Sequence, residues 1–305
     1  MIGRMGSKKI RKIAAVVLGA AVTITVCCVP DARAQARFGD QSSGAADGRA
    51  QQWIVPSPDT ATDSHALLYR PPGAGPFRLA VIAHASTQNA LRRAQMPQPE
   101  YRALASQLVS RGFAVLVPER PGHGATGGPY LEDQGGCDDA DYLASGRATA
   151  AAIGVAVAFM QTQPFIRKDA AVVIGHSAGG FGALALASSD PKALSQIVVF
   201  APGRGGHADD RPFAVCAETK LVAAAGAFGR GARVPVTWLV AGNDSYFSPD
   251  LSRRMAEAFR AAGGKVDFRV LPPSGDEGHW LAERGAVDMA AILDGTITPA
   301  KIQRR

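Results

Sequence analysis

Two hydrophobic periods alternate along the chain. Short apolar runs stand at HALLYRP (65–71), FRLAVIAHA (77–85), FAVLVPE (113–119), AAVVIG (170–175), QIVVFAPG (196–203), PVTWLVAG (235–242) and KVDFRVLP (265–272). Bounded by Gly and Pro, they read as strands, and the unbroken ones as strands buried on both faces of a parallel sheet. The first two are joined by the turn Pro72-Gly73-Ala74-Gly75-Pro76. Between the runs the spacing turns helical. EYRALASQLVSRG (100–112) repeats Leu104, Leu108 and Val109 and closes on Gly112, a residue suited to a helix C-terminus. Further helices are predicted over 142–162, ending before Pro164, and over 178–187, 249–262 and 281–294. Residues 204–234 show no period and read as irregular. Strand–helix alternation of this kind predicts an α/β fold: a mainly parallel central sheet with helices on both faces.

The N-terminus stands apart. Arg4, Lys8, Lys9, Arg11 and Lys12 precede an uncharged run from Ile13 to Val29, and Ala32-Arg33-Ala34 follows. This is the pattern of a signal peptide cleaved near Ala34, not of a transmembrane anchor, for which the run is short. The expected organisation is a leader over 1–34, a Gly/Ser/Ala-rich tether over 35–52 and one catalytic domain over 53–305. The expected location is periplasmic or secreted, without stable membrane insertion after cleavage.

Export changes the charge argument. The full chain carries a formal +7, but residues 1–34 hold six basic residues and one acidic, leaving 27 basic against 25 acidic. No basic run interleaved with aromatics remains, so a nucleic-acid partner is not expected. Of the four cysteines, Cys137 and Cys216 outlast the leader, and two cysteines in an exported chain predict one disulfide. No His pair has metal-ligand spacing, so neither metal nor cofactor is expected.

The chemistry centres on VIGHSAGG, where Gly175-His176-Ser177-Ala178-Gly179 falls at the junction of a buried strand and a helix. That is the setting of a nucleophile elbow: small residues permit the backbone to fold back, and the first helical turn offers free N–H groups beside Ser177. A serine needs a base. In an elbow architecture the order is nucleophile, acid, histidine, which leaves His207 and His279. His207 precedes any later strand able to present the acid, so His279, in GDEGHW after the last strand, is the expected base. Asp244, directly after PVTWLVAG, is the expected acid, with Asp250 second; Asp276 and Glu277 stand too close to His279 to orient its ring. The backbone N–H of Ala178 supplies one oxyanion donor, and Ser86, with Ala85 next, the other. His176 reads as packing, His84 and His123 as loop-ordering, Trp238 as core, Trp280 as a pocket wall, and Tyr246 and Phe247 as packing.

LLYRPPGAGPFRLAVIAHAS, RGFAVLVPERPGHGATGG, VIGHSAGG, LVAGNDSYFSPD and GDEGHW together resemble the α/β-hydrolase superfamily, in its dienelactone-hydrolase-like and serine esterase branch, over about residues 53–295. His84-Ala85 stands where that family usually has His-Gly. Together with the expected leader, the resemblance implies an exported serine hydrolase that cleaves small-molecule carboxylic esters through an acyl-enzyme, with a small lid or none. A serine peptidase or amidase of the same fold and a non-catalytic binding protein on the scaffold are the alternatives. So short a 204–234 segment favours short-chain or soluble esters.

Overall fold

The computed structural model describes residues 37–41, 50–188, 192–285 and 289–297, so the leader expected over 1–34 lies outside the described residues. Among the described residues, nine strands form one sheet: β1 (Gly39–Asp40), β2 (Gln51–Pro56), β3 (Asp63–Tyr69), β4 (Arg78–Ala83), β5 (Phe113–Pro118), β6 (Ala171–His176), β7 (Leu194–Phe200), β8 (Val236–Ala241) and β9 (Val266–Leu271). The spatial order is β1-β2-β3-β5-β4-β6-β7-β8-β9. β1, β2, β3 and β5 pair antiparallel in succession, and every pair from β5–β4 to β8–β9 is parallel. The described helices are α1 (Ala90–Ala94), α2 (Arg102–Ser110), α3 (Tyr142–Thr162), α4 (Ala178–Leu186), α5 (Glu218–Gly229), α6 (Pro249–Ala261), α7 (Leu281–Arg284) and α8 (Met289–Asp294).

Burial explains the two periods. Every residue of β5, β6 and β8 is buried, as unbroken apolar runs require of strands covered on both faces. One apolar cluster, including Trp53, Phe181, Trp238 and Phe259, fills the face under α3, α4, α5 and α6. A second, including Leu104, Leu108, Phe113, Phe200 and Leu281, fills the face under α2, α7 and α8. α6 shows how a surface helix docks: Leu251, Met255, Ala256 and Phe259 recur on one side and are buried, Pro249 stands in its first turn, and the Ser248 hydroxyl caps the Leu251 amide. α4 is buried in all nine residues and is apolar all round.

The winding of the sheet positions the site. From β4 the chain moves one way to β5, then returns to lay β6 on the other side of β4. Ligand crevices in open α/β sheets form at the carboxyl ends of strands where the direction reverses. Here those ends release residues 84–89 from β4 and Ser177 from β6, and Ala83 pairs with Gly175, so the two exits are neighbours.

Four local features differ from the sequence reading. Residues 39–40, expected within a tether, pair antiparallel with Trp53 and Ile54, and the Phe38 ring sits edge-on to Phe159. β2 begins at Gln51, two residues before the expected domain boundary. The 204–234 segment contains α5, whose Leu221, Ala224, Ala225 and Phe228 form a buried helical stripe in which two of the four residues are alanines. The expected helix over 281–294 is two: α7 ends at Gly285, which takes φ 65°, and α8 begins at Met289.

Candidate active site

Ser177 sits at φ 53° and ψ −119°, between β6 and α4. Few non-glycine residues take such a conformation, and it persists where surrounding contacts over-determine it. The Ser177 N–H donates to the Phe200 carbonyl at 3.0 Å, and its own carbonyl accepts from Phe181 and Gly203. Glycine at 179 is a steric requirement: a Cβ there would lie 2.1 Å from the Ala83 carbonyl oxygen. The elbow therefore packs directly on β4, which brings the post-β4 loop beside the serine.

The other expected residues converge on the same place. A cavity of about 1280 Å³ is lined by Ser177, Ala178, Ser86, His279 and Trp280, among others. Asp244 lies behind it, fully buried, with Oδ2 3.1 Å from His279 Nδ1. Its Oδ1 accepts the amides of Tyr246 and Phe247, both at 2.8 Å, so one oxygen is anchored to backbone and the other faces the ring. No hydrogen bond joins the Ser177 hydroxyl to the imidazole among the described residues; such contacts tighten when substrate binds. Asp250, the second candidate acid, stands in the first turn of α6 and pairs with Arg254.

The loop expected to supply the second oxyanion donor is more tightly determined than its sequence indicates. The Ala85 N–H donates to Tyr101 Oη at 3.1 Å and is thereby occupied. The next peptide plane has the Ala85 carbonyl at one end and the Ser86 N–H at the other. His84 Nδ1, 2.6 Å from that carbonyl, fixes the plane. His84 Nε2 accepts the Arg120 amide at 3.1 Å, and burial, with the Arg120 charge beside it, holds His84 well below its ordinary pKa. The Ser86 side chain turns away to His123, whose Nε2 lies 2.7 Å from Oγ. Burial pushes His123 down to about 4, so it is a neutral acceptor there, and its Nδ1 donates to the Arg120 carbonyl at 3.0 Å. The Ser86 and Ala178 amides have no protein acceptor among the described residues.

Several residues at the site had no role in the sequence reading or a blander one. Tyr246 stacks on the His279 ring at 4.2 Å between centroids, and His207 stacks on the far side of Tyr246 at 3.5 Å. Tyr246 is thus a direct neighbour of the imidazole, beyond the packing role expected. Glu277 does not orient the His279 ring; its Oε1 accepts the His279 amide at 2.9 Å and the Ser245 amide at 3.1 Å. Burial would raise this carboxyl, but the bonds from Ser245 and the two amides outweigh it and hold the pKa below its usual range. Trp280 lines the cavity, as expected, and Trp238 is fully buried in the core. Tyr101 gave no signal in sequence, because its role depends on an αL backbone at φ 49° and on partners 16 and 75 residues away.

Under the cavity lies a buried charge cluster. Glu132 pairs with both Arg120 and Arg204, and all three are at most 3% exposed. Burial alone would raise the Glu132 carboxyl, but the two guanidinium groups overcome it and hold the pKa well below the carboxylate range. Arg204 also donates to Thr149 at 2.6 Å and to Tyr130 at 3.1 Å, tying the post-β7 segment to α3 and to the post-β5 segment. Removing the shared anion leaves two guanidinium groups buried and uncompensated. Glu132→Gln should therefore lower the unfolding free energy by about 3–5 kcal/mol. Urea denaturation at neutral pH checks this, and a loss below about 1 kcal/mol would mean that the cluster is hydrated enough to tolerate neutralisation.

Cys137 and Cys216 form a disulfide. The bond joins the excursions after β5 and β7, and Cys216 lies on the cavity wall. The Cys216 amide donates to the Gly205 carbonyl at 2.9 Å, and Tyr142 Oη donates to the Cys216 carbonyl. Constraining a loop of this size in the unfolded chain contributes about 4 kcal/mol at most. Protein isolated natively should resist alkylation until reduced and then gain two alkyl groups by intact mass. Its urea midpoint should fall on reduction. Two thiols alkylated without reductant would refute the bond.

The sequence matches the Hydrolase_4 family, serine aminopeptidase S33, over residues 98–230, a stretch that includes Ser177 but neither Asp244 nor His279. No curated protein matches it significantly. Among solved structures, a cold-adapted esterase from an Arctic intertidal metagenomic library superposes with a TM-score of 0.54 at 19% identity, covering 84% of this chain and 98% of that one. The Pyrococcus furiosus esterase Pf2001 gives a TM-score of 0.55 at 12% identity, covering 84% and 95%. A Klebsiella pneumoniae protein described as a dienelactone hydrolase gives 0.53 at 16%, covering 80% and 94%. Sheet order, elbow and these likenesses agree: the chain has the α/β-hydrolase fold, and its central stretch matches a family of serine hydrolases.

Proposed function

We propose that this protein is a serine hydrolase that cleaves carboxylic esters through an acyl-enzyme. The observation that carries the reading is the meeting, at one cavity, of a serine on a strained elbow with a histidine whose far nitrogen faces a buried carboxylate. Ser177 attacks the carbonyl while His279 takes its proton; Asp244 keeps that proton shuttle in the productive tautomer and steadies the imidazolium. The Ser86 and Ala178 amides receive the oxyanion. His279 then returns the proton to the leaving alcohol, and water repeats the sequence to release the acid. The face of Tyr246 adds a favourable surface for the transient imidazolium.

A cavity of about 1280 Å³ is roomier than short-chain esters need, since drug-sized ligands fill about 300–1,000 Å³. The substrate class we propose is therefore a bulky ester, a departure from the short-chain preference expected from the 204–234 segment. The family match to a serine aminopeptidase favours one second reading, an aminoacyl amidase. Purified protein should react with a fluorophosphonate probe and should hydrolyse p-nitrophenyl esters, with kcat/KM rising from acetate to bulkier acyl groups. Turnover of aminoacyl amides above that of esters would favour the second reading. Failure to label would favour a non-catalytic protein on this scaffold. Export to an oxidising compartment is part of the proposal, and the disulfide supports it.

A further inference from the structure

Three parts of the candidate site hang from different strands: the oxyanion loop from β4, the elbow from β6 and the histidine loop from β9. A single chain of hydrogen bonds crosses all three. The Ala85 N–H lies 3.1 Å from Tyr101 Oη, Tyr101 Oη lies 2.9 Å from His176 Nδ1, and His176 Nε2 lies 2.7 Å from the His279 carbonyl oxygen. The direction of the chain is forced, because an amide N–H can only donate and a carbonyl can only accept. Tyr101 therefore accepts from Ala85 and donates to Nδ1, and His176 carries its one proton on Nε2. Every hydrogen in the chain is assigned by its two ends.

Burial agrees with that assignment. Tyr101 is 2% exposed and His176 1%. Burial, together with the charge that His279 can carry, pushes His176 down to about 3, so its Nδ1 is free to accept throughout the neutral range. The backbone of Tyr101 supplies a separate observation. It sits at φ 49° at the start of α2, without a side-chain cap, in a region that bulky residues rarely enter. Residues held in such conformations cluster where the surrounding structure needs one particular placement. Here the placement brings one hydroxyl within reach of both the oxyanion loop and the elbow.

We propose that Tyr101 and His176 are positioning residues that fix the Ser86 amide and the His279 imidazole relative to each other around Ser177. Tyr101 lines the cavity and the His176 ring lies beside the His279 ring, 5.1 Å between centroids, but neither hydrogen-bonds to the Ser177 hydroxyl or to the His279 ring nitrogens. Tyr101 orients the peptide before the one that presents the Ser86 N–H, and His176 holds the backbone that carries the His279 ring. A displacement of about 1 Å at a reacting group costs about 100-fold in rate, so the brace acts on turnover more than on binding.

Its kinetic consequence rests on the esterase reading above; its geometry does not. Two measurements therefore test it. In wild-type protein labelled with ¹⁵N-histidine, NMR between about pH 5 and pH 8 should find His176 neutral with its proton on Nε2. A proton on Nδ1, or titration within that range, would overturn the proposal whether or not any ester is hydrolysed. In the second measurement, Tyr101→Phe and His176→Leu should each lower kcat by about 10- to 100-fold with KM within about twofold. The double variant should be no slower than the slower single variant, because the chain acts as one unit. His176→Gln should recover part of the loss, its amide N–H still reaching the His279 carbonyl. Wild-type kcat in both single variants, a loss confined to KM, or losses that multiply in the double variant would overturn it. If a variant fails to fold, the wild-type tautomer decides. Absence of ester turnover in wild-type protein would count against the esterase reading and leave the tautomer test in force.

Discussion

Ser177→Ala should abolish ester hydrolysis, lowering kcat by about 10⁴- to 10⁶-fold, while the protein remains folded. The magnitude follows from what one oxygen does: without it no acyl-enzyme forms, and only the rate conferred by binding and the oxyanion amides remains. Folding is spared because the hydroxyl has no hydrogen-bond partner among the described residues, while the backbone bonds from Ser177 to Phe200, Phe181 and Gly203 do not involve the side chain. Alanine also meets the strained backbone on nearly the same terms as serine. The checks are kcat on a bulky p-nitrophenyl ester, loss of fluorophosphonate labelling and an unchanged near-ultraviolet circular dichroism spectrum. Wild-type turnover in this variant would remove Ser177 from the chemistry and the esterase proposal with it.

Asp244→Asn should cost about 10⁴-fold in kcat with little change in stability. The Asp244 carboxylate is divided between two tasks, Oδ1 accepting the Tyr246 and Phe247 amides and Oδ2 facing His279 Nδ1. An asparagine keeps the first task by directing its carbonyl at those amides. Its NH₂ group then points at Nδ1 and donates, which forces the ring proton onto Nε2. The nitrogen that should take the Ser177 proton is already protonated, and the histidine is correctly placed but in the wrong state. Retained activity would show that another carboxylate serves, and Asp250 would be the first to test despite its ion pair with Arg254.

What the sequence disclosed depended on how local each feature is. The core strands were legible because burial on both faces leaves unbroken apolar runs, as in FAVLVP of β5. The elbow was legible because Gly179 has to lack a side chain against Ala83, a requirement written in the residue itself. Asp244 and His279 followed from chain order once the strands were placed, and their 3.1 Å approach agrees with that order. α5 was missed because alanines at 224 and 225 carry its apolar stripe with Leu221 and Phe228, and a search for large side chains passes over it. The brace through Tyr101 and His176 and the Arg120–Glu132–Arg204 cluster were out of reach for another reason. Their members are far apart in sequence, and each residue type is unremarkable until the topology brings the partners together.

The contributions to the site divide unevenly. The groups proposed to react stand just beyond the ends of β4, β6, β8 and β9, while much of the cavity wall comes from α1 and the segments after β4, β5 and β7. Those wall segments are cross-linked to one another through Arg204, Tyr130 and the disulfide. Selection, natural or in the laboratory, can thus act on two nearly separate parts. Substitutions at Gln88, Arg92 or Asp209, exposed side chains on the cavity wall, should alter what the protein admits without disturbing how it reacts. A directed-evolution library confined to those segments would be expected to yield new ester preferences at constant fold, whereas one spread over the strand ends would mostly yield inactive protein.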